Sequence, residues 1–282
     1  MAETETYSYI PIKAGGKPSY RAGHAKSKSE SINSNLWDGL VACYPTSLGY
    51  TGNSLLDVAS IKRHGNLINM TPASDWVIDN GYWGLNFSTW NKYVEIPSFT
   101  PLLNSSGLSF SLWYWAANGA QSDTYACMIY HDDQIWGIYQ DVHFNKVRFS
   151  LDTTTGITDI TSDDNFFDGG WHHLCCTWDG LVMKMYRDTI LVNSASKTGT
   201  IDSRSSGDYS LRLATQDGTY NNFIGKLSDV YIYNRALMPN EISMLYEDRM
   251  SPFYYNRIAP FHSLTTSIPQ NTYHYIQQMR RK

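Results

Sequence analysis

The sequence predicts an all-β fold, a sandwich or barrel with one short C-terminal helix and an extended arm at each end. Three observations carry this. About a dozen short apolar runs, alternating at period two and separated by turn signals, fill residues 36–250. Charged residues make up only 17% of the 282 and aromatics 14%, and Tyr and Trp suit half-buried pleated faces. A single segment has helical spacing. The same composition excludes a disordered chain, a coiled coil and a collagen-like fibre.

Residues 1–35 are rich in Lys, Ser, Gly and Pro and read as an N-terminal arm. Leu40 to Tyr44 is a short strand closed by Pro45. Strands follow at 82–87, 92–96 and 108–116, where Leu108, Phe110, Leu112 and Tyr114 share one face. Three more lie at 126–130, 135–140 and 146–151. The clearest hairpin joins 171–178 to 181–186 through Asp179-Gly180, which predicts a type I′ turn. Runs at 209–214 and 223–233 complete the set. Pro239 to Glu247 reads as a helix, with Pro at its first turn, Glu241 near its positive end, and Ile242, Leu245 and Tyr246 on one face. Residues 251–282 return to broken, aromatic sequence and form a C-terminal arm that docks on something.

The net charge of −4 hides a division. Residues 36–250 carry 13 basic and 23 acidic side chains, a net of −10, while the arms carry +2 and +4. No apolar run reaches the roughly 18 residues of a membrane span. Met1 to Tyr9 lacks an apolar signal core, and Cys43, Cys127, Cys175 and Cys176 have no CxxC spacing, so free thiols and folding in a reducing cytoplasm are expected.

Three segments together resemble the laminin G-like, concanavalin A-like jelly-roll family. They are Leu56-Asp57 through Ser60 to His64-Gly65-Asn66; Trp171-His172-His173 through Trp178-Asp179-Gly180 to Met185-Tyr186; and Ile224-Gly225-Lys226-Leu227-Ser228-Asp229 through Tyr233-Asn234-Arg235-Ala236-Leu237. The resemblance covers roughly residues 36–248 and implies two antiparallel sheets packed face to face. The turn Arg187-Asp188-Thr189 departs from the family in lacking its usual Gly. Many members hold a structural calcium ion, and residue by residue that site falls on Asp57 and Asp229; alternatively, both acids fasten turns through backbone amides.

Catalysis is not expected. Glycoside hydrolysis needs two carboxylates across the scissile bond, and none of the six Glu pairs with another on a strand. His172 and His173 are adjacent in a strand, point to opposite faces and cannot bind one metal together. The basic ends lack a stacking platform for nucleic acid. Sugar binding is the stronger chemical alternative, because Trp90, Tyr93, Asp132, Asp133, Trp136, Tyr220 and Asn222 give three loops of aromatic and hydroxyl-binding composition. Trp90 and Trp136 equally suit a core or a subunit contact.

Leu36-Trp37-Asp38-Gly39-Leu40-Val41 leading to Tyr50-Thr51-Gly52 is similar to laminin G-type domains of bacteriophage and marine viral genomes, which are usually virion proteins. The leading expectation is therefore a non-enzymatic virion structural protein, a capsid decoration or fibre-type protein. It would form a homo-oligomer and contact the major capsid protein or other virion proteins. Its anchors would be Lys13, Lys17, Arg21, Phe253, Tyr254, Tyr255, Arg257, Phe261, Tyr273 and Tyr275. The alternatives are a glycan-binding receptor or adhesion module of a phage, and a bacterial lectin-like accessory domain.

Overall fold

The computed structural model describes residues 18–21, 23–121, 125–131, 136–141, 145–162, 166–201 and 210–255. Its strands are β1 (Leu40–Tyr44), β2 (Ser54–Leu55), β3 (Gly65–Ile68), β4 (Trp76–Asp79), β5 (Tyr82–Phe87), β6 (Tyr93–Ile96), β7 (Leu108–Trp115) and β8 (Tyr125–His131). They continue as β9 (Trp136–Asp141), β10 (Lys146–Thr153), β11 (Gly156–Thr161), β12 (Trp171–Trp178), β13 (Val182–Arg187), β14 (Ile190–Ser196), β15 (Leu211–Leu213) and β16 (Gly225–Tyr233). One turn of helix, α1 (Pro72–Asp75), precedes β4, and α2 (Pro239–Glu247) follows β16 over the span its sequence predicts.

The first sheet runs β14-β13-β12-β7-β16-β5-β4, with β1 also paired to β16; the second runs β11-β10-β9-β8-β15-β6-β3-β2. Among the described residues every pairing of these strands is antiparallel, giving the two-sheet jelly-roll sandwich expected. Alternation explains the core. Phe110, Leu112 and Tyr114 of β7 face inward beside Leu174, Cys176 and Trp178 of β12, and meet Trp136, Ile138 and Phe149 of the second sheet. Phe110 lies 4.6 Å from Trp136, ring centroid to centroid. Burying each such side chain contributes about 1.5–3 kcal/mol.

The expected I′ turn at Asp179-Gly180 is corrected. Only Gly180 has positive φ (+88°), and Asp179 Oδ1 instead accepts the Leu181 and Val182 amides at 2.9 and 2.8 Å. A Cβ at Gly180 would also stand 2.8 Å from the Ser106 carbonyl, so this corner of the fold needs glycine. The I′ pattern of two positive φ values occurs one hairpin later, at Asp188 (+49°) and Thr189 (+73°), where the resemblance noted the missing Gly.

The outer face of the first sheet is covered by the chain's own ends. Tyr231 and Tyr233 of β16, Cys43 of β1 and Cys175 of β12 form a second apolar cluster with Leu36, Ile242, Leu245, Met250 and Phe253. Residues before 36 and after 250 pair along it. Ala25 and Ile32 donate their amides to the carbonyls of Phe253 (2.9 Å) and Tyr254 (3.0 Å), and Trp37 Nε1 donates to Pro252 O at 2.8 Å. The docked unit therefore extends past both expected boundaries of the domain. Phe253, Tyr254 and Tyr255 correct the anchor expectation in part: Phe253 is buried within this cluster, and the Tyr254 hydroxyl donates to Asp248 Oδ2 at 2.8 Å. Tyr255 is bridged to Ser31 and remains partly exposed, and Arg21 is exposed. Lys13, Lys17, Arg257, Phe261, Tyr273 and Tyr275 lie outside the described residues.

Candidate functional site

On the outer face of the second sheet, strand register collects a different set of side chains. Tyr139 pairs with Arg148 and Cys127, Gly137 with Tyr130 and Ser150, and Ser150 with Asp159, so all of these point away from the core. Of these, Tyr130, Tyr139, Arg148, Ser150 and Asp159 line a groove of about 250 Å³ together with Tyr125, Ile157, Gln216 and Asn221.

Gly137 shapes its floor. An added Cβ there would lie 2.8 Å from Tyr139 Cζ and Oη, so the end of that ring occupies the space where a side chain would otherwise stand. Tyr130 meets Tyr139 edge to face at 5.8 Å. Arg148 lies over the Tyr125 ring at 5.1 Å and its Nη1 is 3.6 Å from Asp159 Oδ2. Burial pushes the Tyr139 phenol above its ordinary value, so its hydroxyl stays neutral and can both donate and accept.

The wall is the loop 215–222, fixed by its own hydrogen bonds. Asp217 Oδ1 accepts the amides of Thr219 and Tyr220, both at 2.8 Å, and Thr215 Oγ1 accepts the Gly218 amide at 3.0 Å. Gln216 Oε1 takes a hydrogen bond from Asn221 Nδ2 at 2.5 Å, and Gln216 Nε2 reaches the Tyr130 hydroxyl at 3.4 Å. The polar groups facing the groove are thus held before any ligand arrives.

The sequence-derived sugar residues divide. Tyr93 and Tyr220 converge on the wall loop, Tyr93 packing against Gly218 and Tyr220 standing 68% exposed. Asn222 is buried and holds the loop's shape through Nδ2 to Thr219 O at 2.9 Å, a structural role rather than a contact surface. Trp90 is 56% exposed on the β5–β6 turn and is not among the described residues that line the groove. Trp136 is corrected: it is 1% exposed, inside the core. Asp132 and Asp133 lie outside the described residues. Tyr130, Tyr139, Arg148, Ser150 and Asp159 escaped the sequence reading; outward alternation on β9 and β10 is the signal that finds Tyr139, Arg148 and Ser150, whereas Tyr130 is turned outward by a register shift in β8.

Asp57 and Asp229 do not fit a calcium ion. Asp57 Oδ1 accepts the amides of Cys43 and Ala59 and Oδ2 that of Arg63, each at 2.9 Å. Asp229 Oδ1 accepts the Ser47 amide at 2.9 Å, and Oδ2 the hydroxyls of Ser47 and Ser228 at 2.5 and 2.6 Å. These N–H and O–H hydrogens occupy the approach a cation would need, and calcium requires six to eight oxygens. Both acids fasten turns. Among the described residues no three His, Cys, Asp or Glu side chains gather as metal ligands.

A sandwich with one outer face closed by its own termini and the other carrying a polar, tyrosine-rich groove is the class of protein defined here. Residues 87–243 match the family described as the concanavalin A-like lectin/glucanases superfamily, in its laminin G branch, and the chain belongs to that family. Among solved structures, the receptor binding domain of botulinum neurotoxin D is similar at 13% identity and TM-score 0.58, over 76% of this chain and 54% of that one. The binding domain of Paraclostridial Mosquitocidal Protein 1 is similar at 16% identity and TM-score 0.58, over 75% and 52%. The binding domain of botulinum neurotoxin DC in complex with rat synaptotagmin II follows at 14% and 0.55, over 75% and 52%. This chain spans about half the length of these structures, and the likeness is one of fold. No curated protein matches the sequence.

Proposed function

We propose that this chain is a non-catalytic carbohydrate-binding module that holds a glycan in the groove of the second sheet. One observation carries the reading: Tyr139, laid across Gly137, offers a ring surface beside Arg148, Asp159, Ser150, Gln216 and Asn221 in a shape fixed without ligand. Sugars present both an apolar ring face and hydroxyls that donate and accept, and these side chains answer both. The family's lectin members and the receptor-binding neighbours support the reading by analogy. Asp159 is the one carboxylate among the described lining residues, whereas glycoside hydrolysis uses two, which supports binding without cleavage.

Glycan-array binding by the full chain tests this. Gly137→Ala should displace the Tyr139 ring and abolish binding while the circular dichroism spectrum is retained. Undiminished binding by that variant would remove the groove from consideration.

The virion reading draws on one structural observation: Ser31 bridges Tyr255 and Gly23 packs beside the Tyr255 ring, so the described segments toward the two ends meet on the face opposite the groove. Such a module attaches through one face and displays the other. Undisturbed particle incorporation after deletion of both 1–17 and 256–282 would end the anchoring idea.

A further inference from the structure

We infer that the bound glycan is a linear oligosaccharide, and that Tyr93, Tyr220 and Trp90 form a second subsite for it beyond the groove. The inference rests on the carbohydrate-binding reading above and extends it along the same sheet face. Strand register gives the direction. Ser150 pairs with Gly137, Gly137 with Tyr130, Tyr130 with Arg212, Arg212 with Glu95 and Glu95 with Asn66, one row of outward positions across six strands. Tyr139 and Tyr93 each lie two residues from that row, on the same side of it, and share its outer face. Three strand spacings, roughly 14 Å, separate β9 from β6. One sugar ring is too small to meet both tyrosines, whereas a chain of several can.

The loop 215–222 stands between the two ends. It covers the middle of the row, where Gln216 O accepts from Arg212 Nη1 at 3.3 Å and Gln216 Nε2 reaches the Tyr130 hydroxyl. Gln216 and Asn221 face the groove on one flank. On the other, Gly218 abuts Tyr93, whose Oη would lie 2.9 Å from an added Cβ. Tyr220 stands 68% exposed on the loop, with its amide held by Asp217 Oδ1. Trp90, 56% exposed, lies three residues before Tyr93 on a turn that is also fixed. Asn69 Nδ2 donates to Asn91 O at 2.9 Å there, and Lys92 Nζ to Asp75 Oδ1 at 2.8 Å. Exposed rings on loops of preset shape lose little freedom when a sugar stacks on them. Glu95 and Asn66, outward in the same row, add acceptors for hydroxyls. The groove itself, about 250 Å³, falls below the roughly 300–1,000 Å³ of sites for drug-sized ligands, so it takes one end of such a chain.

The experiment measures binding of the full chain to cello-, chito-, manno- and laminari-oligosaccharides, each series running from one to six sugars, beside a general glycan array. In a series that binds, affinity should rise about tenfold between the disaccharide and the tetrasaccharide. The double variant Tyr220→Ala, Trp90→Ala alters two exposed side chains and should keep the wild-type circular dichroism spectrum. It should lose about tenfold in affinity for the tetrasaccharide and hexasaccharide and leave the disaccharide unchanged. Wild-type affinity independent of length, or a double variant that loses short and long chains equally or loses neither, overturns the inference while leaving the carbohydrate reading standing. Binding confined to terminal or branched sugars of the array does the same. Absence of binding to every series and to the whole array overturns both.

Discussion

The two outer faces of this sandwich start from the same device, a strand exposing every second residue, and end differently. On the first sheet the outward residues are Cys43, Cys175, Tyr231 and Tyr233, which are too apolar to meet water, and the chain spends α2 and both terminal segments covering them. On the second sheet Tyr139, Arg148, Ser150 and Asp159 stay partly open to solvent, and only Tyr130 among the outward groove residues is buried, against the 215–222 loop. One face is closed by the chain itself and the other stays open. The largest test of that contrast is Phe253→Ala, which empties a fully buried site in the covering layer. It should cost about 3–5 kcal/mol in urea unfolding, while any glycan affinity found for the wild type under the proposal above stays unchanged in the remaining folded protein. A loss of affinity in the folded fraction would mean that the two faces are coupled through the core.

Legibility in sequence followed the same contrast. The hairpin at 171–186, the strand at 225–233 and helix α2 could be read directly, because each carries a dense local pattern. The short strands β2, β3 and β4 and the exposed β11 and β14 could not, since two to seven residues with weak alternation are specified by their neighbours rather than by themselves. The groove was hidden by one residue. Between Cys127 and Ile129 strand β8 shifts register against β9, so Tyr130 turns outward to join Tyr125 instead of facing inward. Plain alternation assigns Tyr130 to the wrong face. Trp136 misled for the opposite reason, being a residue of lectin-like composition at the start of a strand whose inward position its neighbours decide.

A smaller effect tests the end of the first sheet that the termini do not cover. The β13–β14 turn holds Asp188 and Thr189 both at positive φ, and a β-branched residue there is strained. Asp188 has a reason to stay, since Oδ1 accepts the His173 amide at 2.8 Å and Oδ2 contacts His172 Nδ1 at 2.5 Å. Thr189 has no such partner among the described residues. Thr189→Gly should therefore stabilise the fold by about 0.5–1 kcal/mol, read as a rise in the urea midpoint. A fall in the midpoint would show that the Thr189 side chain makes a contact worth more than its strain.

The smallest effect separates two neighbouring histidines by sign. His172 faces the open end of the sheet, where its hydrogen bond to Asp188 raises its pKa against the opposing effect of burial, with Asp168 adding to the rise. Burial works to raise the Asp168 carboxyl too, but the Gly170 amide, His172 and Arg187 outweigh it and hold it at about 2. His173 lies under the covered face, fully buried beside Ser111, and desolvation holds it at about 3. In the unfolded chain both histidines titrate near 6.5. Below that pH the unfolded state gains a proton at position 173 that the native state refuses, so His173 makes stability rise with pH from about 3 to 6.5. Above it the native state keeps a proton at position 172 that the unfolded state has lost, so His172 makes stability fall as pH rises through its native value. His172→Gln should flatten the alkaline limb of the stability–pH curve, keep the rise from about 3 to 6.5 that His173 contributes, and shrink the loss as Asp168 protonates, since that carboxyl loses one of the groups holding it low. An alkaline limb that persists in His172→Gln would mean that another group on the open end, and not the Asp168–His172–Asp188 chain, holds the extra proton.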